Sequence, residues 1–390
     1  MRPASGWSAV VLVGCGAIVA QAFGRFTYSV LLPAVRDDLG HSNTIAGLLG
    51  TINVGSYLIG TFVVSTITAR FRLLDVFRTG FAFSLTGLAI AAFAPNAAVL
   101  GLALFVMGLG GAMIWIPSPA IAAAAVDERR RGTAIGGIGA GIGVGIVFSG
   151  QLARFFRERG GDAAWREVYR VDLVLAVLVV LAILGFLRHR QDRPSGERTS
   201  IGVGVVTLKR MPGWGAITGA YTAYGFCYLL AISFLTSRLE DDAGFSEGLA
   251  STMFTLIGVG AIVGGIALGA AADRFGERAT MTVGYAAFAA ALGAVMTGVV
   301  PLVAIGAVTV GAMFGGLASV IAGYVVANTT TAAFGPSYAA ATLAFGVAQL
   351  TAPQVGGLIA DATGGFTEVF VLAIVFALLG AASSSRLPAR

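Results

Sequence analysis

Charge is scarce in this 390-residue sequence: 11% of the residues are Asp, Glu, Lys or Arg, while 57% are hydrophobic. Soluble domains carry about 25% charged residues, so the composition excludes an ordinary soluble globular protein. The two cysteines, Cys15 and Cys227, lie inside apolar runs, which indicates buried small side chains and neither a disulfide nor a metal site. The two histidines, His41 and His189, stand in predicted loops, which excludes a histidine metal cluster.

The sequence also lacks the motifs of several other functional classes. No long basic block is interleaved with aromatic residues, so we expect no nucleic-acid partner. The many glycines lie in apolar runs without a following Lys-Ser/Thr pair, which excludes a nucleotide-binding loop. No nucleophile or metal constellation within the apolar runs suggests a membrane enzyme. We therefore expect no enzymatic activity, no cofactor and no bound metal.

Long apolar runs are what the sequence has instead. A membrane helix needs about 20 apolar residues, and twelve stretches meet this length, with the first too long for the core of a signal peptide. The sequence therefore predicts an all-α membrane protein. The predicted spans are 7–32, 43–68, 76–94, 97–126, 132–154, 168–187, 213–237, 248–271, 279–299, 301–327, 336–360 and 366–385.

The spans divide six and six around a polar stretch. We predict a first bundle over 1–187, a linker over 188–210 and a second bundle over 211–390. With both termini placed in the cytoplasm, 17 of the 25 Lys and Arg residues fall on the inner side and 7 on the outer side. Because basic residues concentrate in cytoplasmic loops, this count predicts that both termini lie in the cytoplasm.

The two halves repeat one another. An offset of 204 residues aligns the segment 37–40 with 241–244, and without a gap it also aligns Gly60 with Gly264 and Arg70 with Arg274. Duplicated six-helix units related by an axis along the membrane normal are a recognised transporter architecture. A simple anchor or a structural protein does not need this duplication. The repeat therefore predicts a transporter with two pseudo-symmetric six-helix bundles.

The link between spans 8 and 9 carries a specific motif. The residues of 269–278 fit the pattern G-x-x-x-D-R-x-G-x-R, which closely resembles the signature of the major facilitator superfamily (MFS). The resemblance covers the whole chain and implies the twelve-helix MFS fold. It also implies that Asp273, Arg274 and Arg278 act in gating, by locking the cytoplasmic ends of the helices in the outward-facing state.

The first half departs from this motif. The 204 offset places Ala69 opposite Asp273, so the first-half gate has to close without an acid at that position. The Gly-Arg-Phe of span 1 and the segment 53–57 of span 2 resemble the poorly characterised YbfB-like branch of the superfamily. The glycine-rich span 5 resembles that of superfamily exporters, but it lacks the Gly-Pro pair of their antiporter motif, and close helix packing is the favoured explanation of its glycines.

Arg25 is the central candidate for substrate contact. It lies within the apolar run 7–32 and is effectively always protonated. A charge at the centre of a membrane helix costs about 2.5–3.5 kcal/mol on insertion scales, and such residues commonly mark substrate pathways. The offset of 204 places Leu229 at the equivalent position, so the duplicated scaffold does not require this charge. We expect Arg25 to bind an anionic substrate, although structural hydrogen bonding and snorkelling remain alternatives.

Other polar and aromatic residues share helix faces with one another and could reach the same centre. Gln21 and Tyr28 share a face with Arg25, Trp115 precedes the prolines of span 4, and Gln349 lies in span 11. Membrane-interface anchoring and helix–helix hydrogen bonds are the competing interpretations of these residues. The full predicted substrate-binding set is Arg25, Gln21, Tyr28, Asn53, Tyr57, Trp115, Tyr221, Tyr224, Tyr228 and Gln349.

No acidic residue lies near the middle of a predicted span. Asp172 lies near the outer end of span 6 beside Arg170, and we expect the two to form an interfacial pair. Proton-coupled carriers often use a buried carboxylate. Without one, the protein would carry a proton on an acidic substrate, exchange one anion for another, or work as a uniporter.

The leading hypothesis is a secondary active or facilitative transporter of a small organic anion, in particular a carboxylate, that works by alternating access. The expected partners are this substrate, the lipid bilayer and a co-transported proton or an exchanged anion, with the protein acting as a monomer. One alternative is an exporter of hydrophobic or cationic compounds, for which tyrosines would offer cation–π contacts. A second alternative is a membrane sensor that does not transport.

Overall fold

The computed structural model describes residues 6–68, 70–187, 201–329 and 331–388. These residues form helices joined by short turns, and twelve of the helices are long and apolar enough to cross a membrane. All twelve predicted spans are confirmed as helices. In chain order, helices 1 to 12 are Trp7–Asp38, Asn43–Ile67, Leu73–Ala92, Ala97–Ala125, Arg131–Gly160, Trp165–Phe186, Trp214–Asp242, Glu247–Phe275, Glu277–Met296, Val300–Ala327, Thr331–Thr363 and Thr367–Ser385.

The repeat is visible in how the helices start and stop. Ser42 caps the N-terminus of helix 2 by accepting a hydrogen bond from the Ile45 amide, and Ser246 caps helix 8 through the Leu249 amide. These two serines are 204 residues apart, as the sequence repeat predicts. A serine at this position satisfies a backbone donor that would otherwise have no partner within the helix. The same local sequence therefore starts the same helix in both halves.

Helix 1 is irregular at its centre. Its α-helical ends, Trp7–Ala17 and Thr27–Asp38, flank a π-helical stretch over Ile18–Phe26. Such widened turns inside α-helices occur frequently at functional sites. The stretch contains both Gln21 and Arg25, so the backbone of helix 1 is irregular at the position of the charge that the sequence places within span 1.

The linker predicted over 188–210 contains a helix. Its part 188–200 lies outside the described residues, but Ile201–Lys209 is helical and packs against helix 11. The polar residues of this segment predicted only a connection between the two bundles. The run from Ile201 to Val206 is largely apolar, which favours packing of this short linker helix against the second half.

The two halves meet through pairs of helices that contain small residues. Helix 5 packs against helix 8 where Gly143 faces Gly258, and helix 2 packs against helix 11 where Gly47 faces Pro353. A Cβ on Gly47 would lie 2.3 Å from the Pro353 carbonyl oxygen. Because glycine has no Cβ, the backbones can approach this closely, which is how membrane helices commonly associate.

The side of the molecule on which helix 1 begins and helix 12 ends is called the terminal side, and the other is called the opposite side. Ion pairs joining the two halves gather on the opposite side, where Arg36 pairs with Asp241 and Arg157 pairs with Glu240. There Asp361 of helix 11 also accepts hydrogen bonds from the first two backbone amides of helix 2, at 2.9 and 2.8 Å. The halves are therefore fastened on the opposite side.

Candidate functional site

Arg25 lies between the two halves without an acidic partner. Among the described residues it forms no ion pair, and its Nε has no hydrogen-bond partner. Its guanidinium donates a long hydrogen bond of 3.4 Å from Nη2 to the Tyr228 hydroxyl and lies 5.8 Å from the Phe26 ring centroid. The positive charge is therefore uncompensated by the protein around it.

Four other predicted residues gather around this guanidinium. The Gln349 amide of helix 11 also donates to the Tyr228 hydroxyl, so that this oxygen accepts from both halves of the molecule. Gln21 and Arg25 lie next to the hydroxyl of Tyr57. A phenolic oxygen has two acceptor sites and one donor. With both acceptor sites of Tyr228 occupied, its O–H remains available to donate to another group.

A small cavity extends from Arg25 toward the opposite side. It combines groups of the first half with groups of the second, and two hydroxyls in its wall, Ser29 and Ser233, were not predicted. A serine in an apolar span gives no sequence signal of its own, since it can equally bond its own helix backbone. The lining residues are Arg25, Tyr28, Ser29, Leu32, Ala46, Gly50, Asn53, Val54, Leu229, Ser233 and Pro353.

An aromatic column stands beside Tyr228 in the second half. The Tyr221 ring stacks on Phe345 of helix 11 with centroids 4.3 Å apart, and Tyr224 lies 4.8 Å from Tyr228. Phe314 of helix 10 continues the column 5.1 Å beyond Tyr228. Sequence reasoning identified the three tyrosines by their shared helix face. It missed Phe314 and Phe345 because phenylalanine is common in membrane spans and gives no local indication of its partner.

Three of the predicted residues are engaged differently. The Tyr28 and Asn53 side chains reach the cavity wall, but the Tyr28 hydroxyl donates to the Ala46 carbonyl at 2.7 Å, and the Asn53 amide donates to two carbonyls, Gly24 and Leu104. Both residues thereby fix helix 1 against its neighbours. Trp115, at the end of the first segment of helix 4, packs against the hydrophobic core and is not among the residues that line the cavity.

The charged motif residues at the end of helix 8 form no ion pairs with described residues in this conformation. Asp273, Arg274 and Arg278 are exposed on the terminal side, and none of the three forms an ion pair with a described residue. Gly276 of the motif ends helix 8 with φ of 81°, a conformation that favours glycine. Ala69, the first-half counterpart of Asp273, lies outside the described residues.

The expected interfacial pair between Asp172 and Arg170 is wrong. Arg170 pairs with Glu167, whereas the Asp172 side chain is 0% exposed and accepts a hydrogen bond of 2.9 Å from Thr27 of helix 1. Residues two positions apart point to different sides of a helix, so these neighbours in sequence could not face each other. The structure thus buries an acid for which the sequence predicted an interfacial position.

Among the described residues, no group of three or more His, Cys, Asp or Glu side chains could hold a metal ion. The polar groups around Arg25 are guanidinium, amide and hydroxyl groups. All of these can donate hydrogen bonds, and none carries negative charge. Chemically, the arrangement suits an anion that accepts several hydrogen bonds.

Several known proteins that this chain resembles are described as transporters or efflux pumps. A profile of the family described as "Uncharacterised MFS-type transporter YbfB" matches residues 17–384. Over 183 residues the chain is 27% identical to a probable 4-methylmuconolactone transporter of Cupriavidus pinatubonensis, covering 46% of this chain and 41% of that protein. Over 286 residues it is 24% identical to a gentisate transporter of Corynebacterium glutamicum, covering 69% of this chain and 62% of that protein.

An MFS-type efflux pump of Arthroderma benhamiae is 23% identical over 192 residues, which is 49% of this chain and 35% of that protein. The matched regions thus span between about a third and three fifths of these relatives' lengths. Among solved structures, a bacterial homologue of the human lysosomal transporter Spinster, in an inward-facing and unoccupied conformation, superposes with a TM-score of 0.75. It shares 15% identity, and the alignment covers 97% of this chain and 95% of that one, which shows a common fold.

Proposed function

The chain belongs to the YbfB-like family of MFS transporters, and on this premise we propose that it carries a small organic anion, in particular an aromatic carboxylate, between its two halves. The observation that carries this proposal is the uncompensated Arg25 guanidinium at the boundary of the halves. An unpaired charge is costly at this depth, and an anionic substrate would compensate it for part of each cycle.

The donors around Arg25 fit a carboxylate. The free Nε of Arg25 and the unused O–H of Tyr228 are both available to one ligand. Guanidinium groups bind carboxylates through two parallel hydrogen bonds, which gives direction as well as strength. Among the described residues, no acid pairs with Arg25 and would compete with the substrate. This arrangement favours an anion over a cation, which the same guanidinium would repel.

The aromatic column supports a substrate with a ring. Stacked and tilted aromatic pairs prefer centroid distances of about 4.5–7 Å. The rings of Tyr221 and Tyr224, Tyr224 and Tyr228, and Tyr228 and Phe314 follow this spacing, with centroids 6.3, 4.8 and 5.1 Å apart. The gentisate named for the Corynebacterium relative is an aromatic carboxylate, which combines the two features that this site offers. A ring against the column would leave its carboxylate directed toward Arg25.

The proposed mechanism is alternating access across a bacterial cytoplasmic membrane, with the terminal side in the cytoplasm. In this scheme residues 1–187 and 211–390 rock against each other. The opposite side is fastened here by the pairs Arg36–Asp241 and Arg157–Glu240, while Asp273 and Arg274 stand unpaired. This pattern supports an inward-facing state, whose reversal would release the first set of contacts and engage the second.

Uptake of labelled gentisate into proteoliposomes tests the proposal. Arg25→Ala should lower the uptake efficiency roughly 10- to 150-fold, since a charged hydrogen bond is worth about 1.5–3 kcal/mol. Arg25→Lys should recover part of this loss by keeping the charge without the two-pronged geometry. Arg129→Ala, which removes an exposed arginine on the terminal side, is the matched control and should transport as wild type does.

A panel of aromatic and aliphatic acids in a thermal-shift assay extends the test beyond gentisate. Wild-type protein should be stabilised by aromatic acids, and Arg25→Ala should not. Equal stabilisation and equal uptake by both proteins would overturn the anion site. Transport of a cationic or uncharged compound that is insensitive to Arg25→Ala would instead support an exporter.

A further inference from the structure

Asp172 is a buried acid that the proposed anion site does not use. Its side chain is 0% exposed in helix 6, its Oδ2 accepts a hydrogen bond of 2.9 Å from Thr27 Oγ1, and its Oδ1 has no partner. It forms no ion pair with any described residue. An ionised carboxylate in this position is shielded from bulk solvent and has no compensating cation among the described residues, which is costly.

The charged side chains on the helices around Asp172 contact groups other than Asp172. Helix 3 offers no ionisable residue along 84–93, the part that faces the first half of helix 6. Among the described residues, Tyr169 on the same helix is a titratable neighbour of Asp172, its hydroxyl is buried without a partner, and it also lies near Tyr28 of helix 1. The charged groups with other partners are Arg25, Arg36, Asp37 and Asp38 on helix 1, Arg154, Arg157, Glu158 and Arg159 on helix 5, and Asp162, Arg166, Glu167 and Arg170 next to or on helix 6.

Asp172 stands at one end of a chain of hydroxyl groups that links three helices. Thr27 of helix 1 contacts Asp172 of helix 6 and, at 2.9 Å, Ser149 of helix 5. All three side chains are fully buried. With Asp172 ionised, Thr27 donates to the carboxylate and receives from Ser149. With Asp172 protonated, the new O–H can donate to Thr27, which then turns its own hydrogen toward Ser149.

Thr27 and Ser149, which carry the two hydroxyl groups of this hydrogen-bonded chain, lie next to the π-helical stretch of helix 1 and next to the contact between the halves. Thr27 directly follows the π-helical stretch that carries Arg25. Ser149 directly precedes Gly150 and Gln151, and the Gln151 amide donates to Thr255 of helix 8 across the boundary between the halves at 2.9 Å. The hydroxyl chain therefore joins the π-helical stretch of helix 1 to the part of helix 5 that contacts helix 8.

The repeat shows that the fold does not need this acid. The glycines that follow helices 5 and 11, Gly161 and Gly364, are 203 residues apart and both adopt positive φ. This local offset places Val375 of helix 12 at the position of Asp172, and the offset of 204 near helix 7 places Ala231 at that of Thr27. The second half thus builds the same helix pair from apolar residues.

We propose that Asp172 is a proton-binding site that couples proton movement to transport. In each cycle the carboxylate takes one proton from water on one side, forming an O–H bond, and returns the proton to water on the other side. Carried together with a monovalent anion, this proton makes the transported pair electrically neutral. Proton binding by Asp172 stands independently of the substrate, whereas the coupling step rests on the proposed anion transport.

Infrared difference spectroscopy of the purified full-length protein in lipid nanodiscs tests proton binding without any substrate. The carbonyl stretch of a protonated carboxylic acid should disappear as the pH is raised, and Asp172→Asn should lack this band. Glu368→Gln, which alters an exposed acid at the start of helix 12, should keep it. A titrating band of wild-type size in Asp172→Asn, or an Asp172 band that never changes with pH, would overturn the proposal.

Thr27→Val provides a second variant that keeps the acid. It removes the donor that stabilises the ionised form, so the band should persist to higher pH than in the wild type. An unchanged titration in Thr27→Val would show that Asp172 does not depend on the hydroxyl chain. This variant keeps the test decisive if Asp172→Asn does not fold.

Transport of gentisate in proteoliposomes tests the coupling. Wild-type uptake should accelerate several-fold when a proton gradient is imposed, and Asp172→Asn should lose this acceleration while it still exchanges internal for external gentisate. Acceleration of equal size in Asp172→Asn would overturn the coupling. If the wild type carries no gentisate, the proposed function fails for this substrate, and the infrared titration still decides whether Asp172 binds a proton.

Discussion

Arg157 of helix 5 and Glu240 of helix 7 form a two-pronged ion pair between the halves, with N–O distances of 2.6 and 2.9 Å. The Arg157 side chain is only 1% exposed, and its guanidinium also reaches Asp162. In the repeat, Glu240 corresponds to Arg36, which itself pairs with Asp241. At one duplicated position the first half therefore carries a base and the second an acid, and each binds the other half.

Removing this pair should open the opposite side. Glu240→Gln should destabilise the conformation closed on the opposite side by about 1.5–3 kcal/mol, which is what hydrogen bonds to charged groups contribute. The equilibrium between the closed and the open opposite side should therefore shift roughly tenfold or more toward the open form. The measurement is the labelling rate of Ser233→Cys by a membrane-impermeant thiol reagent added from outside, with Cys15 and Cys227 replaced. Arg170→Gln, which breaks an exposed pair within helix 6, is the control and should leave the rate unchanged.

A methyl group added where helix 2 contacts helix 11 should also open the opposite side. Gly47→Ala places a Cβ 2.3 Å from the Pro353 carbonyl oxygen, so the two backbones must separate. The same external labelling should rise. Gly139→Ala is the matched control, because no atom lies within 4 Å of its Cβ position. Equal labelling of the two variants would contradict the close contact as a closing device.

Replacing the motif acid Asp273 should have the opposite effect and favour the state in which the opposite side is closed. Asp273 is exposed and unpaired here, so Asp273→Asn should not weaken this conformation and should instead weaken the state closed on the terminal side. We expect slower net uptake and less external labelling of Ser233→Cys. Thermal stability of the variant should match that of the wild type. A rise in external labelling would show that the motif does not close the terminal side.

Tyr228→Phe should reduce substrate affinity without removing the charge at the site. The variant loses the hydroxyl that Arg25 and Gln349 share, together with the O–H available to a carboxylate. One hydrogen bond is worth about 1 kcal/mol, so the apparent affinity for gentisate should fall roughly fivefold. Tyr285→Phe, whose hydroxyl donates to the Ala220 carbonyl away from the cavity, is the control and should bind gentisate as wild type does.

Much of the fold could be predicted because hydropathy and charge act locally. Each apolar run of about 20 residues has to become a helix in a bilayer, where every backbone polar group must be satisfied internally. The 204-residue repeat and the motif at 269–278 then identified the family. The short linker helix Ile201–Lys209 escaped prediction because its apolar run is too short to span a membrane.

The site was predicted only in part, because side chains meet across helices whose rotation the sequence does not fix. Arg25, Tyr57, Tyr228 and Gln349 do come together, but Trp115 packs elsewhere, and the roles of all of these residues remain predictions. The predicted pair of Asp172 with Arg170 was wrong because the two residues are close in sequence but point to different sides of helix 6, and Asp172 faces the interior.

The sequence by itself determined that this chain spans a membrane twelve times, that its halves are duplicated, and that Arg25 has no counterpart in the second half. Only the tertiary structure decided that Arg25 has no acidic partner in the described part of the chain, that the halves are fastened on one side, and that Asp172 is buried against Thr27. The first set depends on the composition of single segments. The second depends on which faces of different helices are brought into contact.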